Sequence, residues 1–287
     1  MGRITVRRPI RRIRGDEPPR RVVDTLAAEE PLEIRIAGRP LAVTMRTPGH
    51  DVELATGFLV SEGIIRAGSD LRAAIHCGGP GTSPGTGQPN TYNVLDLALA
   101  DHVPPLPASA ERNFYTTSSC GVCGKASIDA VHTVSAHDLH ADAVNLTPER
   151  IAGFPESLRA AQEVFERTGG LHAAGLFDPA TGEALVVRED VGRHNAVDKV
   201  VGWAAQHDRL PATGLVLQVS GRASFELVQK AVMAGIPVLT AVSAPSSLAV
   251  ELADSSGLTL VGFVRGRTMN VYTHPERVVG AGEPAAG

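Results

Sequence analysis

Apolar residues follow different periods in the two halves of the chain. In the first half, short runs of alternating apolar and polar residues lie between turn-forming residues, and one longer run keeps an approximate helical period. Residues 37–40 form a turn-rich connection between two of the short runs, which predicts a hairpin. The predicted elements of this half are strands at 21–25, 32–36, 41–46 and 92–99 and a helix at 50–65.

From Thr147 onward, predicted strands alternate with predicted helices, a pattern typical of an α/β layer built on a largely parallel sheet. Thr147 can cap a helix whose first position is Pro148, because proline is tolerated there. After this first helix the predicted helices are 158–167, 195–207, 224–234 and 246–254, and the predicted strands are 173–177, 184–188, 215–219, 238–241 and 259–263.

The N-terminal segment differs from both halves because it is strongly basic. Residues 1–21 contain eight arginines, interleaved with alternating apolar residues, which is typical of a basic edge strand or of a flexible arm. The sequence therefore predicts an α/β protein whose N-terminal part is α+β. Its predicted parts are a basic arm at 1–20, a β-rich part at 21–145 that includes the cysteine loop, and an α/β part at 146–287.

Composition and charge exclude several functional classes. The chain has 287 residues, of which 43% are hydrophobic and 4% aromatic, and its formal net charge is -4. These values argue against a general nucleic-acid or anionic-lipid binder. No run of 18 apolar residues and no signal-peptide pattern is present, so we expect a cytoplasmic protein without a membrane segment. Three cysteines cannot form a disulfide framework, which favours a reducing compartment.

Two of the three cysteines are the strongest candidates for chemistry. Cys120 and Cys123 are three positions apart in residues 118–125, SSCGVCGK, where small residues leave the backbone open to a large partner. Lys125 and a helix predicted to begin at Ala126 would both favour the thiolate, which is the form that attacks sulfur or binds metal. The third cysteine precedes a Gly/Pro-rich stretch that predicts a surface loop, and we assign it no role.

Several interpretations of this cysteine pair compete. A structural zinc site needs four ligands, and the sequence has no second pair. A thioredoxin-like redox pair would follow the first strand of a βαβ unit. Zinc deaminases use H-x-E followed by P-C-x-x-C, whereas Ser119 precedes Cys120 and the H-x-E triplet occurs only at 274–276. A thiolate that carries a sulfane sulfur and a pair of unreactive loop cysteines remain open alternatives.

A candidate anion site follows the last predicted strand. Arg265 and Arg267 flank a glycine at the carboxyl end of a strand, where α/β sheets bind ligands, and they could pair with phosphates. A solvated basic turn is the alternative. Residues 220–222, which follow the strand at 215–219, are a weaker candidate that we interpret as the start of a helix. The candidate binding residues are Phe263, Val264, Arg265, Gly266, Arg267 and Thr268.

A compact polar cluster precedes the helix predicted at 195–207. It contains Asp190, Arg193 and His194, which are either satisfied structural residues or part of a site. Sulfur transfer from a preformed thiolate requires no general base, so these residues receive no catalytic role. We expect Asp198 and Lys199 to be surface or ion-pair residues.

Six strings of residues, taken together and in order, resemble the formate dehydrogenase accessory sulfurtransferase family (FdhD/NarQ). The resemblance spans roughly residues 20 to 280. Its most specific string is REDVGRHNAVDK, because that many polar residues are not needed merely to form a helix. The strings are residues 57–63, 118–124, 169–172, 188–199, 220–222 and 272–275.

The resemblance implies a sulfurtransferase that acts on the molybdenum cofactor. A cysteine desulfurase would donate persulfide sulfur to Cys120, with Cys123 as its companion, for transfer to molybdenum bis(molybdopterin guanine dinucleotide). That cofactor would be a bound substrate held by residues 263–268, and the catalytic subunit of formate dehydrogenase would receive it. The resemblance also implies a cytidine deaminase-like C-terminal fold without zinc catalysis or a resident metal, and a homodimer. The alternative function is a cofactor-binding chaperone that performs no sulfur chemistry.

Overall fold

The computed structural model describes residues 3–77, 92–105, 135 and 137–279. Cys120 and Cys123 lie outside the described residues. The strands are β1 (Thr5–Arg12), β2 (Arg20–Ala27), β3 (Glu30–Ile36), β4 (Arg39–Arg46), β5 (Leu71–His76), β6 (Val94–Leu99), β7 (His172–Phe177), β8 (Ala184–Asp190), β9 (Val216–Val219), β10 (Val238–Ala241), β11 (Thr259–Arg265) and β12 (Thr268–Thr273). The α-helices are α1 (Asp51–Ser61), α2 (Pro148–Ala160), α3 (Glu163–Thr168), α4 (Arg193–Gln206), α5 (Phe225–Met233) and α6 (Ser247–Ser255).

The C-terminal part is built on a six-stranded mixed sheet in the order β12-β11-β10-β9-β7-β8. This arrangement confirms the predicted α/β class. The prediction of a largely parallel sheet is wrong, because only β9–β10 and β10–β11 pair in parallel, while the three outer pairings are antiparallel. The short connections from β7 to β8 and from β11 to β12 permit only antiparallel pairing. β12 itself was not predicted from the sequence.

Helices cover both faces of this sheet, which gives three layers. Successive side chains of a strand point to opposite faces, so the apolar runs of the central strands supply both cores. Leu217 and Leu239 belong to the larger core, which includes residues of α1, α4, α5 and α6. Val216 and Val238 belong to the smaller core, which includes residues of α2. Burial on both faces explains why β9 and β10 are mostly apolar, with one polar residue each, Gln218 and Thr240, which are buried and hydrogen-bonded to each other.

A second sheet of four strands, in the order β4-β3-β6-β5, forms the N-terminal part. The predicted hairpin of β3 and β4 is confirmed. β6 pairs with β3 in parallel, and β5 pairs with β6 as an edge strand that the sequence did not predict. Buried residues of this sheet, among them Leu32 and Leu95, join the larger core, so the two parts of the chain share one apolar interior.

The basic N-terminal segment forms a strand rather than a free arm. β1 pairs along its whole length with β2 as an antiparallel two-stranded ribbon. No residue of either strand is buried. Because an isolated ribbon of two strands is marginally stable, its stability depends on its contacts with α3.

Two predicted helix boundaries differ from those in the structure. The helix predicted at 158–167 is wrong, since α2 ends at Ala160 and α3 begins at Glu163. The carboxylate of Glu189 accepts hydrogen bonds from the amides of Val164 and Phe165, at 2.9 and 2.7 Å, and so starts a separate helix. The helix predicted at 50–65 spans 51–61.

Within the described ranges, no helix is long and apolar enough to cross a bilayer.

Two glycines lie in the interface where α1 and α4 cross. A Cβ on Gly57 would lie 1.8 Å from the carbonyl oxygen of Asp198, and a Cβ on Gly202 would lie 1.8 Å from that of Glu53. The two backbones therefore touch, and no other residue type fits at either position.

An ion pair beside this crossing joins α1 to β8. Arg188 donates from Nε and Nη2 to the two carboxylate oxygens of Glu53, at 2.5 and 2.7 Å. Burial raises the pKa of Glu53, but Arg188 and the nearby His50 outweigh it and lower the pKa to about 2. Glu53 is therefore ionised in the folded protein throughout the physiological pH range.

Replacing Gly57 with alanine should destabilise the fold, because the added methyl group would overlap the backbone of α4. We expect a loss of about 2 kcal/mol or more in the free energy of unfolding, measured by chemical denaturation. Gly153→Ala is the matched control, since Gly153 is exposed within α2 with nothing within 4 Å of the added Cβ. The control should gain about 0.5–1 kcal/mol from helix propensity. Equal stability of the two variants would contradict the close crossing.

Glu53→Gln should make the folded protein less sensitive to acid. The folded pKa of Glu53 is lowered from 4.5 to about 2, so its ionised form stabilises the fold above pH 4.5, and this stabilisation is lost as the pH falls toward 2. Between pH 5 and pH 3 the wild type should lose more stability than the variant, by about 2 kcal/mol. Glu251→Gln, on the exposed side of α6, should behave as the wild type. Parallel pH profiles for the wild type and Glu53→Gln would contradict the assignment.

Candidate functional site

One edge of the six-stranded sheet gathers most of the candidate residues predicted from the sequence. β8, β9, β10 and β11 all end at this edge, and the antiparallel strands β7 and β12 begin there. The segments that follow these ends carry the predicted polar and basic residues, and α4, α5 and α6 begin close by in the chain. The carboxyl edge of such a sheet is a common position for a ligand.

Residues 263–268 form the turn of a hairpin rather than a free loop. β11 extends to Arg265 and β12 begins at Thr268, so the predicted end of the strand at 263 is wrong. Val264 is only 1% exposed and belongs to the core that includes α2. Phe263 is 37% exposed and has a φ of 53°, which is strained for a phenylalanine.

The remaining residues of this hairpin turn present their side chains or backbone to solvent. Arg265, Gly266, Arg267 and Thr268 are all exposed. The Nε of Arg265 donates to the carbonyl of Val242, at 3.3 Å, which ties the turn to the segment after β10. Two arginines are therefore available to an anion at this edge, and their assignment to a cofactor stays a prediction.

The sequence suggested that residues 220–222 start a helix, but the structure shows that they do not. α5 begins at Phe225, three residues later, with Ser224 as the N-cap residue. The hydroxyl of Ser220 accepts a hydrogen bond from the amide of Ala173, at 2.9 Å, and so extends the pairing of β7 with β9. Gly221 lies against the ring of His172. This segment therefore closes the sheet edge and brings His172 into the candidate site.

The carboxylate of Asp190 is fully buried where β8 ends. It accepts hydrogen bonds from the amides of Thr47 and Gly192, at 3.1 and 2.8 Å, and from the side-chain amide of Asn195, at 3.0 Å. The ammonium group of Lys199 lies 2.7 Å away. Asp190 is thus a satisfied structural residue, one of the two alternatives that the sequence left open.

Asp198 and Lys199 are ion-pair residues, as the sequence predicted, but neither lies at the surface. Lys199 is 1% exposed and also donates to the carbonyls of Thr47 and Glu189. Asp198 pairs with Lys230 of α5, at 2.7 Å, and accepts a hydrogen bond from the hydroxyl of Ser61. The contact of Lys199 with Thr47 and those of Asp198 with Ser61 and Lys230 join segments that are far apart in the sequence, so local sequence patterns do not indicate the burial of either residue.

Arg193 and His194, the first residues of α4, face a different environment from Asp190. His194 is 8% exposed, and its Nε2 lies 3.7 Å from a carboxylate oxygen of Glu226 in the first turn of α5. Among the described residues, the buried Nε of Arg193 has no hydrogen-bond partner, and the buried Nε2 of His194 and hydroxyl of Ser224 lie beside the carboxylate of Glu226 without a close hydrogen bond. Glu226 and Ser224 were missed in the sequence, where an ordinary helix start gives no signal of a site.

The charges of this cluster perturb its titratable groups. Burial lowers the pKa of His172, and the neighbouring positive charges of Arg193 and His194 lower it further, although Asp190 raises it. Burial raises the pKa of Glu226, but the proximity of His194 and Ser224 and its own backbone amide lower it to about 2. Glu226 is therefore ionised, and His172 favours its neutral form.

The described residues contain no second cysteine beside Cys77 and no group of three metal-ligating side chains. Cys77 is half-buried, and its sulfur contacts the carbonyl of Ile75, at 3.9 Å. Within residues 3–77, 92–105, 135 and 137–279, no cluster of three or more His, Cys, Asp or Glu residues could hold a metal ion.

Known proteins resemble this chain along most of its length. The "Sulfur carrier protein FdhD" of Streptomyces coelicolor is 60% identical over 280 residues, 97% of each chain. The protein of the same name from Mycobacterium tuberculosis is 56% identical and covers 97% of this chain and 100% of its own. The crystal structure of a candidate formate dehydrogenase accessory protein from Desulfotalea psychrophila is 24% identical. It covers 96% of this chain and 100% of its own, with a TM-score of 0.72, and so shares the fold.

The family comparison agrees with the resemblance seen in the sequence strings. The sequence model of the FdhD/NarQ family matches residues 27–279, which include both sheets, the carboxyl edge and the cysteine pair. The match and the high identity to its curated relatives confirm the predicted resemblance, and the chain belongs to the FdhD/NarQ family.

Proposed function

We propose that this chain is a sulfur carrier that serves formate dehydrogenase and that carries sulfur as a persulfide on Cys120. The observation that supports this most strongly is its identity of 56–60% with several proteins named sulfur carrier protein FdhD, over nearly the whole chain. Cys120 and Cys123 lie inside the matched family range and form the only closely spaced thiol pair of the sequence. The neighbouring Lys125 favours the thiolate of such a pair.

The proposed loading step is an exchange at sulfur. The thiolate of Cys120 attacks the outer sulfur of a persulfide on a cysteine desulfurase. The S–S bond of the donor breaks, the donor cysteine leaves as a thiolate, and a new S–S bond forms on Cys120. No external oxidant is required, because the sulfane sulfur keeps its oxidation state.

The proposed delivery step places this sulfur on molybdenum bis(molybdopterin guanine dinucleotide), which is the substrate. Release of the outer sulfur as sulfide needs two electrons, which the thiolate of Cys123 supplies when it forms a disulfide with Cys120. The sulfide then replaces an oxygen ligand of the substrate's molybdenum, and that oxygen leaves as water. A cellular thiol then reduces this disulfide before the next cycle. The sulfurated cofactor passes to the catalytic subunit of formate dehydrogenase.

The carboxyl edge of the sheet is the proposed holder of this substrate. Arg265 and Arg267 are exposed at the hairpin turn and can pair with the pyrophosphate oxygens of the cofactor. Gly266 between them leaves the backbone open, and Phe263 offers an exposed ring. We also propose a cytoplasmic location, where cysteines stay reduced, and a homodimeric assembly.

Replacement of Cys120 should abolish sulfur loading. In an incubation with a cysteine desulfurase and sulfur-labelled cysteine, the wild type should acquire one sulfur on the peptide that contains Cys120, measured by mass spectrometry. Cys120→Ala should acquire none and should not support formate dehydrogenase activity, whereas the control Cys77→Ala should load normally. If Cys120→Ala still takes up label and still supports formate dehydrogenase, the assignment is wrong.

A cofactor chaperone without sulfur chemistry is the second candidate, because the described anion-binding edge does not depend on the cysteines. Under the sulfur-carrier proposal, Arg265→Ala combined with Arg267→Ala should still load Cys120 but should support formate dehydrogenase at least about tenfold less well. The chaperone candidate also predicts reduced formate dehydrogenase activity for the double arginine variant. Unlike the sulfur-carrier proposal, it predicts that Cys120→Ala combined with Cys123→Ala remains active. Formate dehydrogenase assays of both double variants, beside loading assays, separate the two functions.

A further inference from the structure

The two-stranded ribbon of β1 and β2 carries a charge opposite to that of the rest of the chain. Residues 5–27 contain seven arginines and three acidic residues, which gives a net charge of +4. Because the whole chain has a net charge of -4, the remaining residues carry a net charge of -8. All the positive charges of the ribbon are arginines, which protein–protein interfaces favour over lysines.

The body of the chain does not neutralise the arginines of the ribbon. Within residues 3–77, 92–105, 135 and 137–279, the ion pairs of the ribbon join Arg12 to Asp24, at 3.5 Å, and Arg20 to Glu17, at 3.7 Å. Both pairs lie inside the ribbon itself. The other arginines of the ribbon are exposed and form no ion pair in that part of the chain; they are Arg7, Arg8, Arg11, Arg14 and Arg21.

Two pairs of arginines face each other directly across the strands of the ribbon. Arg11 lies opposite Arg21, and Arg12 lies opposite Arg20. Like charges in opposite positions destabilise a sheet, and a ribbon of two strands is already marginally stable. Carboxylates of a bound partner would relieve this repulsion, so the charge pattern suits the bound state better than the isolated chain.

One face of the ribbon combines three of these arginines with exposed apolar groups. Opposite residues share a face, and alternate residues of a strand return to it, so Arg7, Arg11 and Arg21 lie on either side of Pro9 and Val23. All five residues, which we call the arginine face, are exposed, and Val23 is 56% exposed. An apolar centre bordered by arginines is typical of a protein–protein interface. Charges that only protect a strand edge would not require an exposed valine between them.

The ribbon begins at the carboxyl edge of the six-stranded sheet. The amide of Ala28 donates to the carbonyl of Ile4, at 2.9 Å, and closes the base of the ribbon. A Cβ on Gly170, two residues before β7, would lie 3.8 Å from the Cβ of Ala27. β7 begins at the carboxyl edge, and each eight-residue strand of the ribbon spans about 25 Å. The arginine face therefore extends from the edge that we propose for the cofactor.

We propose that the arginine face binds an acidic surface of the protein that receives the cofactor, the catalytic subunit of formate dehydrogenase. The identity of this partner rests on the proposed function, whereas its acidic character rests on the unpaired arginines. The recipient has to reach the cofactor at the sheet edge, where the ribbon begins, whereas the desulfurase has to reach Cys120. A nucleic acid fits this face less well, because residues 5–27 contain no aromatic side chain for base stacking. The match to the family model begins at residue 27, so it assigns the ribbon no role.

Arg11→Glu tests the charge of this face without weakening the ribbon. It converts the repulsive pair with Arg21 into an attractive one, so the thermal unfolding temperature should stay the same or rise. Binding to the catalytic subunit of formate dehydrogenase without its cofactor, measured by surface plasmon resonance at low salt, should weaken at least about tenfold, mainly through slower association. Wild-type binding should weaken in about 0.5 M salt, and binding of the variant should respond less to salt.

Two further variants complete the binding test. Arg209→Glu is the matched control, because it makes the same charge change at an exposed residue beyond the opposite end of α4, and it should bind as the wild type does. Val23→Thr tests the apolar centre, since threonine keeps the shape and strand propensity of valine at this exposed position. Its affinity for the catalytic subunit should fall about threefold, and its thermal unfolding temperature should not change.

Equal affinity of the wild type, Arg11→Glu and Val23→Thr for the catalytic subunit would overturn the proposal, as would failure of the wild type to bind. The proposal is also wrong if Arg11→Glu alters only the oligomeric state, the loading of Cys120 or the binding of a DNA duplex. Those results would assign the face to a second copy of this chain, to the desulfurase or to nucleic acid. Failure of the wild type to load Cys120 would count against the sulfur-carrier function, while salt-dependent binding that Arg11→Glu weakens would still support the arginine face.

Discussion

The buried carboxylate of Asp190 is the group on which the arrangement of this molecule depends. Four donors converge on it, from the backbone after β4, from the turn before α4, from the side chain of Asn195 and from Lys199. It joins the N-terminal sheet to the six-stranded sheet and fixes the position at which α4 begins. Removing one member of such a buried set leaves the others unsatisfied at a cost of about 3–5 kcal/mol. The same contacts therefore stabilise the fold and place Arg193 at the sheet edge.

The polar residues around α4 separate into two groups by whether their hydrogen bonds are satisfied. Asp190, Asn195, Asp198 and Lys199 have protein partners, and these partners come from distant segments of the chain. Arg193 and His194, which lie between them in the sequence, retain unpaired buried atoms. One short string thus carries both the joint between the two parts of the molecule and the charged residues at the start of α4. This explains why so many polar residues occur at the start of a helix that is largely buried.

Local periodicity predicted the strands and helices that are visible within a short window of sequence. It failed for elements whose existence or bounds depend on contacts with residues distant in the sequence. β9, β10 and α5 were predicted nearly at their observed bounds, because apolar runs and helical faces are visible within a short window. β5 and β12 were missed, and each pairs with only one neighbouring strand, at the edge of its sheet. The break between α2 and α3 depends on Glu189, which reaches α3 from the end of β8. The candidate arginines of the hairpin were predictable, whereas Ser224 and Glu226 become notable only through their position beside α4.

The family strings consequently carry two kinds of information. Gly57 is required because it touches the backbone of α4 at Asp198, so the first string and the longest string meet at one helix crossing. His172 and Gly221 likewise belong to two different strings and meet at the sheet edge. These pairings follow from packing and would be needed in any protein with this fold. A residue such as Arg193, by contrast, has a buried atom that packing leaves unsatisfied, and packing alone gives no reason for an arginine there. The glycines of these strings are therefore explained by the packing of the fold, whereas Arg193 is not.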